Sequence, residues 1–177
     1  MYAYLRLCFF CAALTAIGQT AAAEPTLRVS GQLGYACYKQ GVRYHGAGGG
    51  ASTALFFDDA WGIRAGYNLS DFRSKGTAFR IQHGELGIVY QLDAFAYVPW
   101  VALSGTVFAP GGEPVGDAIQ GGYSMGVGFD RLLDANWLIG PAIELKSMSD
   151  APENPALVSV MIRLGYRWTT LGDPYAP

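Results

Sequence analysis

Charge is scarce in this chain. Charged residues fill 15% of 177 positions, against roughly 25% in an ordinary soluble domain. The formal net charge of −2 leaves no basic excess for nucleic acid or for anionic lipid. Cysteine is nearly missing as well. Cys8 and Cys11 lie in an N-terminal apolar segment, which leaves Cys37 alone in the rest of the chain. A lone thiol cannot build a disulfide framework, and two histidines with one cysteine show no metal-ligand spacing. Beyond residue 23 no apolar run approaches the roughly 18 residues of a helical membrane span. Glycines interrupt nearly every apolar segment, which argues against helices of any kind. The Gly46–Gly50 stretch lacks the Lys-Ser/Thr and the helix that would make it a phosphate loop.

What is present is apolar, aromatic and glycine-rich: 51% hydrophobic, 14% aromatic, and 24 glycines. Arg6, the apolar stretch Leu7–Ile17 and the small residues Ala21-Ala22-Ala23 before Glu24 predict a cleaved targeting segment over 1–23. Period-2 alternation then recurs along the chain. Val158, Val160, Ile162, Leu164, Tyr166 and Trp168 share one face of the last segment, with Ser159, Arg163, Gly165 and Arg167 on the other. The stretches from Trp61 and from Trp137 repeat this pattern. Turn signals divide the chain into eight strands, expected at 27–39, 49–57, 61–72, 79–92, 98–108, 119–132, 137–148 and 156–168. Short acidic connections at Asp58-Asp59-Ala60, at 93–97 and at Asp134-Ala135-Asn136 alternate with segments expected as longer loops at 40–48, 73–78, 109–118 and 149–155.

Tight turns at one end and longer loops at the other predict an all-β, eight-stranded antiparallel up-and-down transmembrane β-barrel, with the short turns and both termini in the periplasm. In lipid every backbone group must be paired within the protein, so eight amphipathic strands have to close on themselves. An aromatic girdle at the short-turn end is expected from Trp61, Tyr90, Trp100, Trp137, Tyr166 and Trp168. A second belt is expected from Tyr38, Tyr67, Phe72, Phe79, Phe108 and Tyr123. The polar faces then meet a lumen too narrow for an open pore. Arg64, His83, Glu85, Glu144, Lys146 and Arg163 form its expected polar network, joined by Arg28, Gln32, Asn68, Asp130 and Arg167. Buried charges must pair, so Glu85 and Glu144 are expected to meet some of Arg64, Lys146 and Arg163.

Over 24–170 the chain resembles the small eight-stranded outer-membrane β-barrels of Gram-negative bacteria, the OmpA/OmpX-like group. The segments AWGIRAGYNLSDF, ELGIVYQLDAFAYVPWVAL and SVMIRLGYRW carry the likeness. It implies an integral protein of the outer membrane, exported through the periplasm after loss of residues 1–23. Its expected partners are membrane lipid, lipopolysaccharide and the insertion machinery, and its expected state is monomeric, without cofactor or nucleic acid. Such proteins usually end on the aromatic of the last strand. Here Trp168 is followed by nine residues, of which 171–177 are expected to form a short periplasmic tail.

The function expected on this basis is structural or surface-interactive, with a filled polar lumen and no catalysis. Two alternatives are open. His45, Ser70 and Asp71, all expected near one rim, faintly resemble the outer-leaflet lipid A palmitoyltransferases. A deacylase-like His–Ser pair is disfavoured because Gly84 and Glu85, with no serine, follow His83. The other alternative is a periplasmic lipocalin-like barrel for a small apolar ligand, which exposed aromatic belts disfavour.

Overall fold

Alternation of apolar and polar or glycine residues at period 2 is realised as eight strands in a computed structural model of the protein. It describes residues 25–74, 76–92, 96–112, 115, 118–149 and 155–168. The expected targeting segment and C-terminal tail lie outside the described residues. In chain order the strands are β1 (Thr26–Gln40), β2 (Val42–Phe56), β3 (Trp61–Ser74), β4 (Thr77–Gln91), β5 (Tyr97–Gly111), β6 (Gln120–Leu132), β7 (Trp137–Met148) and β8 (Ala156–Trp168). Each pairs antiparallel with the next, and β1 pairs with β8 from Leu27↔Trp168 to Lys39↔Ala156, closing the barrel. Closure leaves no open edge, which is what a sheet crossing lipid requires.

β7 shows why these residues make a barrel wall. Trp137, Ile139, Pro141, Ile143 and Leu145 point outward, while Leu138, Gly140, Ala142, Glu144, Lys146 and Met148 point inward. The same inversion runs round the cylinder. Large apolar side chains such as Leu33, Leu86, Leu103 and Ile162 are exposed, while Arg64, Glu85, Glu144 and Lys146 are buried. A soluble core would have the opposite arrangement.

Two of the short turns share one device. The carboxylate of Asp58 accepts the backbone N–H groups of Ala60 (2.8 Å) and Trp61 (2.5 Å). The carboxylate of Asp134 accepts those of Asn136 and Trp137, both at 2.7 Å. Each aspartate thus stands in for a backbone acceptor across the reversal. The recurring unit is Asp-x-x-Trp, so Asp58, and not Asp59, is the counterpart of Asp134.

At the opposite end the expected loops shrink. The segment 40–48 is strand, because β1 and β2 continue in register to Gln40↔Val42 and reverse at Gly41, whose φ is 64°. The glycines there signal crowding and not a loop. A Cβ on Gly46 would lie 2.1 Å from the Asp71 carbonyl oxygen, and one on Gly50 would lie 2.2 Å from Asn68 Oδ1. Likewise β3 runs to Ser74 and β4 starts at Thr77, and β5 extends to Gly111. The expected loop at 73–78 is therefore a turn, and longer connections at this end are confined to β5–β6 and β7–β8.

Candidate functional site

Inward-facing residues divide the lumen into layers. Nearest the short turns, Asp130 on β6 lies between two arginines: Arg28 Nη1 at 3.4 Å and Arg163 Nη2 at 3.6 Å. Arg28 also donates to Gln91 Oε1 at 2.7 Å. Above this, Trp100 on β5 takes the guanidinium of Arg163 at 4.4 Å and that of Arg64 at 5.5 Å from its ring centroid. These are separations at which the ring face attracts a cation. The next layer is a square of alternating charge. Arg64 Nη2 is 2.8 Å from Glu85 Oε1 and 2.6 Å from Glu144 Oε1. Lys146 Nζ bonds Glu144 and lies 3.9 Å from Glu85 Oε2. All four side chains are buried, so each carboxylate is held by opposite charge where water cannot screen it. Arg163 turns to Asp130 instead of to the glutamates. Gln32 donates to Asn68 Oδ1 at 2.6 Å. His83 lies at the same end of the polar zone, its ring centroid 5.6 Å from that of Phe108.

Beyond His83 the lumen is stoppered. Tyr38, Phe72, Phe79, Ile81, Phe108, Met148 and Leu157 form one buried cluster, with Phe72 and Phe79 stacked at 5.0 Å between centroids. Four of these residues were expected in an outward belt. They face inward instead, and only Tyr67 and Tyr123 of that expected belt are exposed. The error comes from reading nearness to a rim without fixing the parity of the strand.

Trp100 needs the same correction. Only 4% of it is exposed, against 49% for Trp61, so it belongs to the lumen and not to the girdle. In β5 the face of Val98, Trp100 and Ala102 is as apolar as the outward face, and only Ser104 and Thr106 farther along mark it as interior. The space for the indole comes from β6. A Cβ on Gly128 would lie 2.3 Å from Trp100 Cζ2. At the short-turn rim Trp61 packs on Tyr90 at 4.8 Å, and Trp137 on Tyr166 at 5.1 Å. Tyr166 in turn packs on Trp168 at 4.6 Å. Tyr97 and Phe129, stacked at 5.2 Å, join this rim and were missed in the sequence.

The acyltransferase-like arrangement is not assembled. His45 lies in strand, on the outward face of β2 opposite Arg73, where Tyr35 Oη meets its Nδ1. Ser70 is buried, and Asp71 points outward onto Arg80 Nε at 2.7 Å. Consecutive residues of a strand project to opposite faces, so Ser70 and Asp71 cannot both serve His45. Nor is the interior an apolar pocket of the lipocalin kind. A hollow of about 830 Å³ lies instead on the outer surface over Gly31, between Leu33, Ile162, Leu164 and Trp137.

No family profile and no curated protein matches the chain. Solved structures do. Neisserial surface protein A aligns with a TM-score of 0.65 at 10% identity, over 84% of this chain and 100% of that one. The attachment invasion locus protein Ail of Yersinia pestis aligns at 0.59 and 13% identity, over 82% of this chain and 99% of that one. The fold is that of the small eight-stranded outer-membrane barrels. The outer membrane enzyme PagL shares it at 0.52 and 11% identity, over 78% of this chain and 97% of that one.

Proposed function

We propose that the protein is an integral, monomeric outer-membrane barrel with a structural or surface-binding role, whose lumen is a filling and not a conduit or a catalytic chamber. The inverted distribution of side chains carries this reading: an apolar exterior encloses a self-paired ionic interior closed by an aromatic stopper. In this reading residues 1–23 direct export and are removed, the barrel occupies 24–170, and 171–177 trail into the periplasm. The aromatic end of β8 at Trp168 is what the insertion machinery would recognise, and membrane lipid and lipopolysaccharide are the surroundings. The short-turn end faces the periplasm, and the β5–β6 and β7–β8 connections face outward as the candidate contact surface for a partner.

Fractionation tests the reading. The protein should remain in carbonate-washed outer membranes and migrate differently on SDS gels with and without boiling. A soluble periplasmic band of unchanged mobility would refute it.

A further inference from the structure

Seven of the eight strand pairings run without a break, and β6–β7 does not. There Gly128↔Ala142 is followed by Arg131↔Ile139, and the two pairs between them are missing. Backbone direction explains the gap. Leu133 N–H donates to the Trp137 carbonyl, so odd-numbered residues of β6 and β7 turn their backbone groups on each other. Even-numbered residues serve the neighbours on either side. Leu132 N–H donates to the Ala96 carbonyl beside β5, and the Asn136 carbonyl accepts Arg167 N–H of β8. Pro141 therefore faces Phe129 and brings no N–H to its carbonyl. Pro99 of β5 turns its backbone on Leu92 beside a short turn, so its missing donor falls at the rim. Pro141 sits opposite Ile162, inside the apolar band.

A carbonyl without its donor is costly in hydrocarbon, and such backbone is tolerated where it borders a polar interior. The inner face at this gap is polar and thinly covered. Gly128, Gly140 and Ala142 turn inward beside it, and the Trp100 indole packs against Gly128. Asp130 lies in the gap itself, and Arg163 stands opposite Gly140 across the β7–β8 ladder. Three buried atoms here, Trp100 Nε1, Asp130 Oδ1 and Arg163 Nε, make no hydrogen bond among the described residues. Between the gap and the short turn, β6 and β7 are joined by Arg131↔Ile139 and Leu132↔Leu138, and by the Leu133–Trp137 bond that closes the turn. Leu138, buried on the inward face, covers the lumen on that side.

We infer that the tip of the β6–β7 hairpin, Arg131 to Ile139, is a flap hinged at this gap. Its opening lets water from the short-turn side into the layer of Asp130, Arg28 and Arg163 while the rest of the wall stays shut. The buried ions thereby gain a route to hydration that does not pass the aromatic stopper. The stopper in turn keeps the flap from making a through passage. Nothing in this depends on which compartment the short turns face.

Hydrogen–deuterium exchange of the protein in detergent micelles, read by NMR, tests the flap, and each strand supplies its own control. The amides of Phe129, Arg131 and Ile139 point into the β6–β7 seam, and those of Gly128, Gly140 and Ala142 into the adjoining ladders at similar depth. Protection in the first set should be at least about tenfold lower, the worth of roughly one buried hydrogen bond left unmade. The indole N–H of Trp100, behind the gap, should exchange at the rate of the flap amides. Pro141→Ala restores the missing donor and should slow both the flap amides and the indole by about tenfold, while Pro99→Ala at the rim should slow neither. Equal protection on the two sides of β6 and β7 in the unaltered protein would overturn the flap without any variant. Parent rates throughout Pro141→Ala would overturn it as well. Slowed amides with an unchanged indole would overturn the water route, since a weak bond alone accounts for that result.

Discussion

Replacing Arg64 with methionine would leave Glu144 with Lys146 and deprive Glu85 of its nearest cation. Glu85 would keep a hydroxyl donor, Ser124 Oγ at 3.3 Å, and a lysine at 3.9 Å already committed to Glu144. Two buried carboxylates would then share one ammonium. Methionine retains most of the arginine stem, so the loss is electrostatic rather than a cavity. Removing one partner of a buried ion pair costs about 3–5 kcal/mol, because the remaining charge is stranded. Urea unfolding of the barrel in lipid vesicles would report it. The reasoning makes a sharper demand on the double variant Arg64→Met/Glu85→Gln, which removes the stranded charge. It should recover roughly half of the loss or more, since paired replacement of a buried ion pair is often near neutral. A single variant within about 1 kcal/mol of the parent, or a double variant less stable than the single one, would refute the claim that the square is dry and mutually neutralising.

On the outer wall, Ile162 is 57% exposed, and Ile162→Arg should cost about 2–4 kcal/mol in lipid if that wall meets the bilayer midplane. The same unfolding assay would show no cost if β8 faced water. Gly128→Ala forces a methyl into Trp100 and should cost roughly 1–3 kcal/mol as overpacking. The tryptophan emission of the variant should shift if the indole moves. The N–H groups of Trp137 and Asn136 hold the Asp134 carboxyl below its ordinary value of 3.8. The stability contributed by its ionised form is therefore present above that value and lost as pH falls through the lower folded one. Amide shifts of Trp137 and Asn136 in micelles, followed down the acid range, should move with that lower value and not with 3.8. Changing His45 or Asp71 to alanine should leave the acylation pattern of cellular lipid A unaltered, as mass spectra of extracted lipid A would show.

Much of the architecture was legible in the sequence because a barrel wall is written at period 2. The strands at 137–148 and 156–168 begin and end where alternation predicted, and β3 differs by two residues at one end. β2 was cut short because glycine carries no polarity, so Gly46, Gly48 and Gly50 erase the inward half of the pattern. The charged residues of the lumen stood out by parity as candidates for one interior. Their partners did not, because Arg64 meets Glu144 from the far side of the cylinder, 80 positions along the chain. Such pairings depend on strand tilt and stagger, which alternation does not encode. The misplaced aromatics, Trp100 above all, mark where both faces of a strand are apolar and hydrophobicity no longer tells inside from outside.

The layered lumen also bears on how such a wall assembles. Arg28 of β1 reaches Asp130 of β6, Arg64 of β3 reaches Glu144 of β7, and Arg163 of β8 reaches Ser30 of β1. The β3–β4 hairpin pairs Arg64 with Glu85, and the half β5–β8 pairs Glu144 with Lys146 and Asp130 with Arg163, but Arg28 of β1 meets the Asp130 carboxylate only across the finished barrel. A sheet built only from β1 to β4 would carry Arg28 without Asp130 along with an open seam, and both defects vanish in the single act of joining β1 to β8. The pairs that cross the cylinder, Arg28 with Asp130 and Arg64 with Glu144, are made only when the circle is complete, so the chemistry that fills it also favours its closure.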